Sequence, residues 1–221
     1  LIVLNKPAGI LTVPLPGRSD EPSLADRIED HWRSHRRREP LAVHRLDRDT
    51  TGVVVFAHTP AAWRELKACF ARREPTRRYL AVALGRPGSA SGTWRTWLRW
   101  DEARRVQVPV DRTVDDAKEA LTDFEVLETF DGASLLGLEL VTGRQHQVRV
   151  QAMSHGHPLL GERIYTGKGG MKLAGAFRRQ ALHASSLTFR HPVSGRDAAF
   201  EAPVPGDFAH LLQRLRSIAA P

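Results

Sequence analysis

Cysteine is almost missing from this 221-residue chain: Cys69 stands alone. One thiol excludes an internal disulfide framework and a cysteine-built metal cluster. Cys69 falls within Pro60 to Arg72, a segment that reads as a helix, where a small buried thiol is the expected role. No apolar run approaches the roughly 18 residues that cross a bilayer. Leu1-Ile2-Val3-Leu4 is too short for a signal peptide and lacks its basic lead. A cytoplasmic protein with no membrane partner is expected. Ten histidines are present, but no His-Glu-x-x-His, and His155 and His157 merely flank Gly156 ahead of Pro158. No metal is expected. No repeat, low-complexity tract or linker divides the chain, and its length suits a single domain over residues 1–221.

Lysine is scarce as well. Lys6, Lys67, Lys118, Lys168 and Lys172 are the five, and the other 28 of the 33 basic side chains are arginine. The formal net charge is +8 and the pI about 10.5. Such a surface points to a polyanion, either nucleic acid or an anionic membrane. Arginine suits the first, because its planar fork grips phosphate and stacks on bases, although high genomic G+C content also enriches it. A hydrophobic content of 41% is enough for a real core and excludes a disordered tail.

Leu1 to Leu4 reads as a short strand, followed by the turn Asn5-Lys6-Pro7-Ala8-Gly9. Ser23 with Asp26 resembles a capping box for a helix running to about His35, closed by Arg36-Arg37-Arg38. Val53 to Ala57 reads as a strand, and Thr59 caps the next helix with Pro60 at its first position. Strands dominate the middle: Thr76 to Leu84, Thr93 to Trp100, Arg104 to Val110, Ala120 to Phe130 and Ala133 to Val141, the last two joined by the hairpin signal Asp131-Gly132. A helix is expected from Thr142-Gly143 to about His155, stopped by Gly156. A final amphipathic helix carries Leu211, Leu212, Leu215 and Ile218. The fold class that follows is α+β, with a mixed, largely antiparallel sheet.

Four constellations bear on chemistry. His44-Arg45-Leu46-Asp47-Arg48-Asp49-Thr50-Thr51-Gly52 is a charged run pinned between apolar Leu41-Ala42-Val43 and Val53-Val54-Val55-Phe56. A carboxylate held there by cations stays ionised and can attack carbon; taken alone, the run is also a polar turn with a surface Asp47–Arg45 pair. Thr142-Gly143-Arg144-Gln145-His146-Gln147-Val148-Arg149 places many long polar groups at a helix N-terminus, where anions bind, with Gln145 near Arg149 on one face. Tyr79, after Arg77-Arg78, is a core or edge residue by default and a base-stacking platform otherwise. Trp94, Trp97 and Trp100 interleave with Arg95 and Arg99; this suits single-stranded RNA or a strand packed on both faces, and the second is preferred. Asp47-x-Asp49-x-Thr51 also matches the Asp-x-Asp-x-Thr pattern of haloacid-dehalogenase-like phosphatases, with Asp115-Asp116 as an acidic pair for magnesium. That motif belongs after a wholly apolar strand, which Val43-His44-Arg45-Leu46 is not.

Together the segments resemble the RluA-type family of RNA pseudouridine synthases. His44-Arg45-Leu46-Asp47 with Thr50-Thr51-Gly52 is similar to its His-Arg-Leu-Asp-x-x-Thr-Ser-Gly motif. Arg78-Tyr79 with Ala81, Val82 and Gly85 resembles the motif carrying its tyrosine, and Ala117 to Thr122 its Gly-Lys-x-Ala-x-Thr strand. Thr142 to Arg149 resembles Thr-Gly-Arg-x-His-Gln-x-Arg. Gly156-His157-Pro158, Leu160-Gly161 with Tyr165, Leu182-His183-Ala184 and His191-Pro192 complete the order. Thr51 replaces the usual serine, Glu162 a common aspartate, and Gln151 a frequent histidine. The opening residues resemble the catalytic domain's first strand, so no separate S4-like RNA-binding domain is expected.

The resemblance implies isomerisation of a uridine in transfer or ribosomal RNA after base flipping, with no cofactor. It makes Asp47 the catalyst, by covalent attack or through a glycal. Arg149 becomes its ion-pair partner and Tyr79 the base platform that handles the C5 proton. Arg45, Arg144, His146 and Gln147 become candidates for holding RNA or the pocket. A monomer without an obligate protein partner is expected. The alternatives are a catalytically silent RNA-binding module of the same fold and a magnesium-dependent aspartyl phosphatase.

Overall fold

The computed structural model describes residues 1–15, 21–32, 39–166 and 173–219. In chain order the strands are β1 (Ile2–Lys6), β2 (Leu41–Ala42), β3 (Thr51–Ala57), β4 (Thr76–Leu84), β5 (Ser91–Asp101), β6 (Val106–Val110), β7 (Lys118–Phe130), β8 (Ala133–Leu140), β9 (Leu182–Arg190) and β10 (Asp197–Glu201). The helices are α1 (Leu24–Trp32), α2 (Pro60–Ala71), α3 (Gln147–Ser154) and α4 (Gly206–Ala219). Every ladder with a described register is antiparallel, as expected of an α+β fold with a largely antiparallel sheet. The chain divides into two compact units, Leu1–Thr76 with Ala184–Pro203 and Arg77–His183 with Val204–Pro221.

The first unit is built on β3, whose seven residues are all buried. Continuous burial fits its run of β-branched and aromatic residues. β1 and β9 flank β3, β2 pairs with its C-terminal end, and β10 pairs with β9. Val53, Val55 and Ala57 pack with Leu66 of α2 and with Leu187 and Phe189 of β9. Each of the valine, leucine and phenylalanine side chains contributes about 1.5–3 kcal/mol. Gly52 has φ +117°, and a Cβ there would lie 2.1 Å from the Ala184 carbonyl oxygen. Only glycine lets these two strands come so close. The α1 cap is formed in both directions: Ser23 N donates to Asp26 Oδ2 at 2.7 Å, and Asp26 N to Ser23 Oγ at 3.3 Å. The expected continuation to His35 and Arg36–Arg38 lies outside the described residues. Thr59 caps α2 by accepting from Ala62 N.

In the second unit the strand order is β4-β8-β7-β5-β6. Val82 and Leu135 share the face covered by Phe208, Leu211, Leu212 and Leu215 of α4. Ile218, expected on the same apolar stripe, is 48% exposed. The other face carries Ala120, Thr122 and Phe124, and through cross-strand register Leu138 and Tyr79; α3 packs there, placing Val150 against Leu98 and Ala120. β5 is not packed on both faces, contrary to the preferred reading. Trp94 and Leu98 are buried, whereas Arg95 and Arg99 are exposed and Trp97 lies on their side, half-buried.

Two strands, β9 and β10, were not anticipated. His183, Ser185 and Ser186 interrupt the apolar pattern of β9, and Ala198 and Ala199 carry little strand preference in β10. The helix expected from Thr142 begins only at Gln147, because His146 takes the left-handed conformation at φ 54°. Gln145 therefore precedes the helix and is exposed, while Arg149 is buried. Gly156 ends α3 as expected. His157 N donates to Ala152 O and Gly156 N to Met153 O, the pair of bonds that closes a helix on a left-handed glycine.

Candidate active site

Asp47 opens a tight turn in which Thr50 N donates to Asp47 O at 3.1 Å. The backbone on both sides of it is immobilised. The buried Thr12 hydroxyl donates to Leu46 O at 2.9 Å and accepts from Leu46 N at 3.0 Å. Lys6, fully buried, spends its ammonium on three carbonyls: Pro7 at 2.9 Å, Ile10 at 2.8 Å and Arg48 at 2.7 Å. Gly9 N also donates to Arg48 O. His44 is part of the scaffold: its Nε2 accepts from Val55 N at 3.2 Å, and its ring stacks on Phe70. Because a main-chain N–H can only donate, Nε2 is unprotonated there. Asp47 is half-buried, and Arg45 and Arg48 are exposed, with Arg48 paired to Glu21.

Tyr79, Arg144, His146, Gln147 and Arg149 all belong to the second unit, and Asp47 and Arg45 to the first. Tyr79 is 8% exposed on the sheet face that α3 covers. Arg77, two residues before it, donates from Nη2 to Leu140 O at 2.8 Å. Burial pushes its guanidinium pKa down, partly opposed by Tyr79. A Cβ on Gly143 would stand 2.4 Å from Arg77 Nη1, so this glycine makes room for an arginine.

The corner between β8 and α3 is a buried polar network. Gln147 accepts from the Thr142 hydroxyl at 2.7 Å and from Arg144 N at 2.9 Å. Its amide donates to Leu121 O and to the Thr122 hydroxyl, both at 2.9 Å. Both amide protons and the oxygen are thus engaged within the protein. Thr122 donates onward to Gln151, whose amide donates to Trp94 O and Ala120 O. The unusual Gln151 is therefore a fully buried staple between α3 and the sheet. Arg144 is half-buried and donates from Nε to Glu119 O at 3.1 Å.

Arg149 and His146 converge on Tyr165. The guanidinium carbon lies 5.4 Å from the ring centroid, within cation–π range. Tyr165 Oη accepts from Gln107 N at 2.9 Å and sits 2.9 Å from His146 Nδ1. Glu162 accepts from Arg149 Nε and Nη2, both at 2.7 Å. Burial alone would push the Glu162 carboxyl up. The hydrogen bonds and charge of Arg149, with the N–H groups of Ile164 and Arg163, outweigh burial and hold it below the ordinary carboxylate range.

Among the described residues, no three His, Cys, Asp or Glu side chains are grouped so as to hold a metal ion, and no helix is long and apolar enough to cross a membrane.

Residues 1–154 match the family model for RNA pseudouridylate synthase. The chain is 39% identical over 209 residues to the dual-specificity RNA pseudouridine synthase RluA of Salmonella typhimurium, covering 94% of this chain and 90% of that protein. It is 37% identical over 229 residues to the ribosomal large subunit pseudouridine synthase D of Zymomonas mobilis, covering 97% and 70%. The fold matches human RNA pseudouridylate synthase domain containing 4, with a TM-score of 0.78 and 24% identity over 97% of this chain and 89% of that one. The chain belongs to the RNA pseudouridylate synthase family. Its reaction class is the isomerisation of uridine to pseudouridine in RNA. Neither alternative is favoured by these matches. The phosphatase reading also loses Thr51, which is buried as the first residue of β3.

Proposed function

We propose that Asp47 drives this isomerisation on a flipped uridine of transfer or ribosomal RNA. The observation that carries the proposal is the turn itself: the chain before and after Asp47 is pinned by Thr12 and Lys6, while Asp47 is left half-buried. A reacting group held this way enters the reaction without an ordering cost. The N1–C1′ bond breaks, a C5–C1′ bond forms, C5 loses a proton and N1 gains one. Atoms and electrons balance, so the reaction requires no cofactor. Asp47 acts either as a nucleophile or as the base that makes a glycal. Arg149 is its cationic partner, and Tyr79 is the platform for the uracil and the group that helps remove the C5 proton.

Arg45, exposed two residues before Asp47, is assigned to the RNA, as are half-buried Arg144 and His146. Gln147 is assigned to the pocket wall, because it is 2% exposed and its polar atoms are bonded internally. The protein acts as a cytoplasmic monomer on this reading. The test is pseudouridine mapping in total RNA from cells with the protein, without it, and with Asp47→Asn supplied in its place. A site lost on deletion and not restored by the variant is the expected result; restoration by the variant would remove Asp47 from the mechanism.

A further inference from the structure

Glu162 is among the most completely engaged side chains of the second unit. Its carboxylate faces Arg149 with two bonds of 2.7 Å. The oxygen Oε1 also accepts main-chain N–H groups from Arg163 and Ile164 at 2.9 Å and from Tyr165 at 3.4 Å. The side chains of the pair are 7% and 1% exposed. The neighbouring Arg95–Glu119 pair is instead 69% and 28% exposed, in the class that contributes about 0–1 kcal/mol. A buried pair costs several kcal/mol of desolvation per ion and is often replaceable by apolar residues. Stability is therefore a poor reason for its presence, whereas geometry is a good one. Two parallel bonds fix the plane of a guanidinium, the Tyr165 ring fixes one side of it, and three N–H groups fix the carboxylate in turn.

We infer that Glu162 is a positioning residue for the isomerisation: it holds the Arg149 guanidinium in the one placement from which it serves the catalytic carboxylate. The inference rests on the reading of Asp47 and Arg149 given above.

The experiment compares the parent, Asp47→Asn, Glu162→Gln and Glu162→Asp on unmodified RNA from cells lacking the protein. It follows kcat and KM well below each melting temperature. Glutamine keeps the shape but puts an amide N–H where the guanidinium needs an acceptor. The expected result for Glu162→Gln is a kcat lower by roughly 10²-fold, as for a small misplacement, with KM within about threefold. A loss of kcat/KM carried by a raised KM at parental kcat would place Glu162 in RNA binding and would overturn the inference. Parental kcat with only a lowered melting temperature would overturn it too. If Glu162→Gln does not fold, Glu162→Asp decides: aspartate, the common residue at this place in the family, keeps a carboxylate for Arg149 and should hold kcat within about threefold of parental, and a kcat in the folded variant as low as that of Asp47→Asn would end the claim. Activity in Asp47→Asn would instead sink the underlying reading.

Discussion

Two regions of the molecule hold a polar group still by different means. Around Asp47 a few side chains from distant parts of the chain seize main-chain atoms. Lys6 reaches Arg48 O across 42 residues, and Thr12 takes both main-chain groups of Leu46 across 34. Around Arg149 the grip is side chain on side chain: Thr142, Gln147, Thr122 and Gln151 form one connected series, and Glu162 closes on the guanidinium. In the first arrangement the side chain at the centre can be exchanged without disturbing its support. In the second, the side chain is part of the support.

The sharpest contrast is between substitutions at the two centres. Asp47→Asn is expected to lower activity by roughly 10³-fold or more, with melting temperature and RNA affinity near parental, because Lys6 and Thr12 bind the backbone and the amide is nearly isosteric. A melting temperature that falls as far as that of an Arg149 variant would erase the distinction. Arg149→Ala should lose activity and also about 3–5 kcal/mol of stability, since it leaves Glu162 buried without its cation.

The pH dependence of that loss has a definite sign. In the parent the Glu162 carboxyl is depressed, so the pair's stabilisation is present above the unfolded value of about 4.3 and fades as pH falls through the folded one. In Arg149→Ala burial leads and the carboxyl rises. Stability of the variant should then fall as pH climbs above about 4.3. Urea midpoints between pH 4 and 7 should rise or stay level for the parent and decline for the variant. Parallel curves would mean that Arg149 does not set the ionisation of Glu162.

The different supports also explain what could be read from residues alone. Asp47, Tyr79 and Arg149 stand inside contiguous motifs, and β3, the Thr59 cap and the Gly156 stop are local signals that the fold obeys. Lys6 read as part of a turn, because three carbonyl acceptors brought together by folding leave no mark in the sequence. Glu162 read only as a replacement of a common aspartate, whereas its partner lies 13 residues away and the contact exists only once the 159–165 loop folds onto α3. Gln147 read as a group for holding RNA or the pocket and Gln151 as a departure from a frequent histidine, and neither reading contains their burial, because glutamines are seldom buried; only the four-way satisfaction of Gln147 makes its burial tolerable. The left-handed turn at His146 was equally hidden, since nothing in Arg144-Gln145-His146 demands it.

Lys6→Met tests the distant support of the first region. Methionine fills the volume but leaves the Pro7, Ile10 and Arg48 carbonyls short of a donor. A loss of about 2–4 kcal/mol is expected, measured by urea denaturation, together with a reduced kcat at unchanged KM. Unchanged kcat in folded protein would show that Arg48 O need not be held for Asp47 to function.

The smallest effect comes from one chemical change made in both regions, threonine to valine. Thr12 is 2% exposed and Thr122 fully buried, so each substitution swaps a bonded hydroxyl for a methyl of similar size at a cost of about 1–2 kcal/mol. The consequences for catalysis should part. Thr12→Val releases both the N–H and the C=O of Leu46, the residue that leads into Asp47, and kcat is expected to fall by roughly three- to tenfold. Thr122→Val takes one bond from Gln147 and one from Gln151, but Gln147 keeps Thr142, Arg144 N and Leu121 O, and Gln151 keeps Trp94 O and Ala120 O. Arg149 keeps its own two bonds to Glu162 and stays in place, so kcat should remain within about twofold of parental. Equal kcat losses at matched stability would show that the two regions are held alike, and that the contrast between a main-chain grip and a side-chain one has no bearing on function.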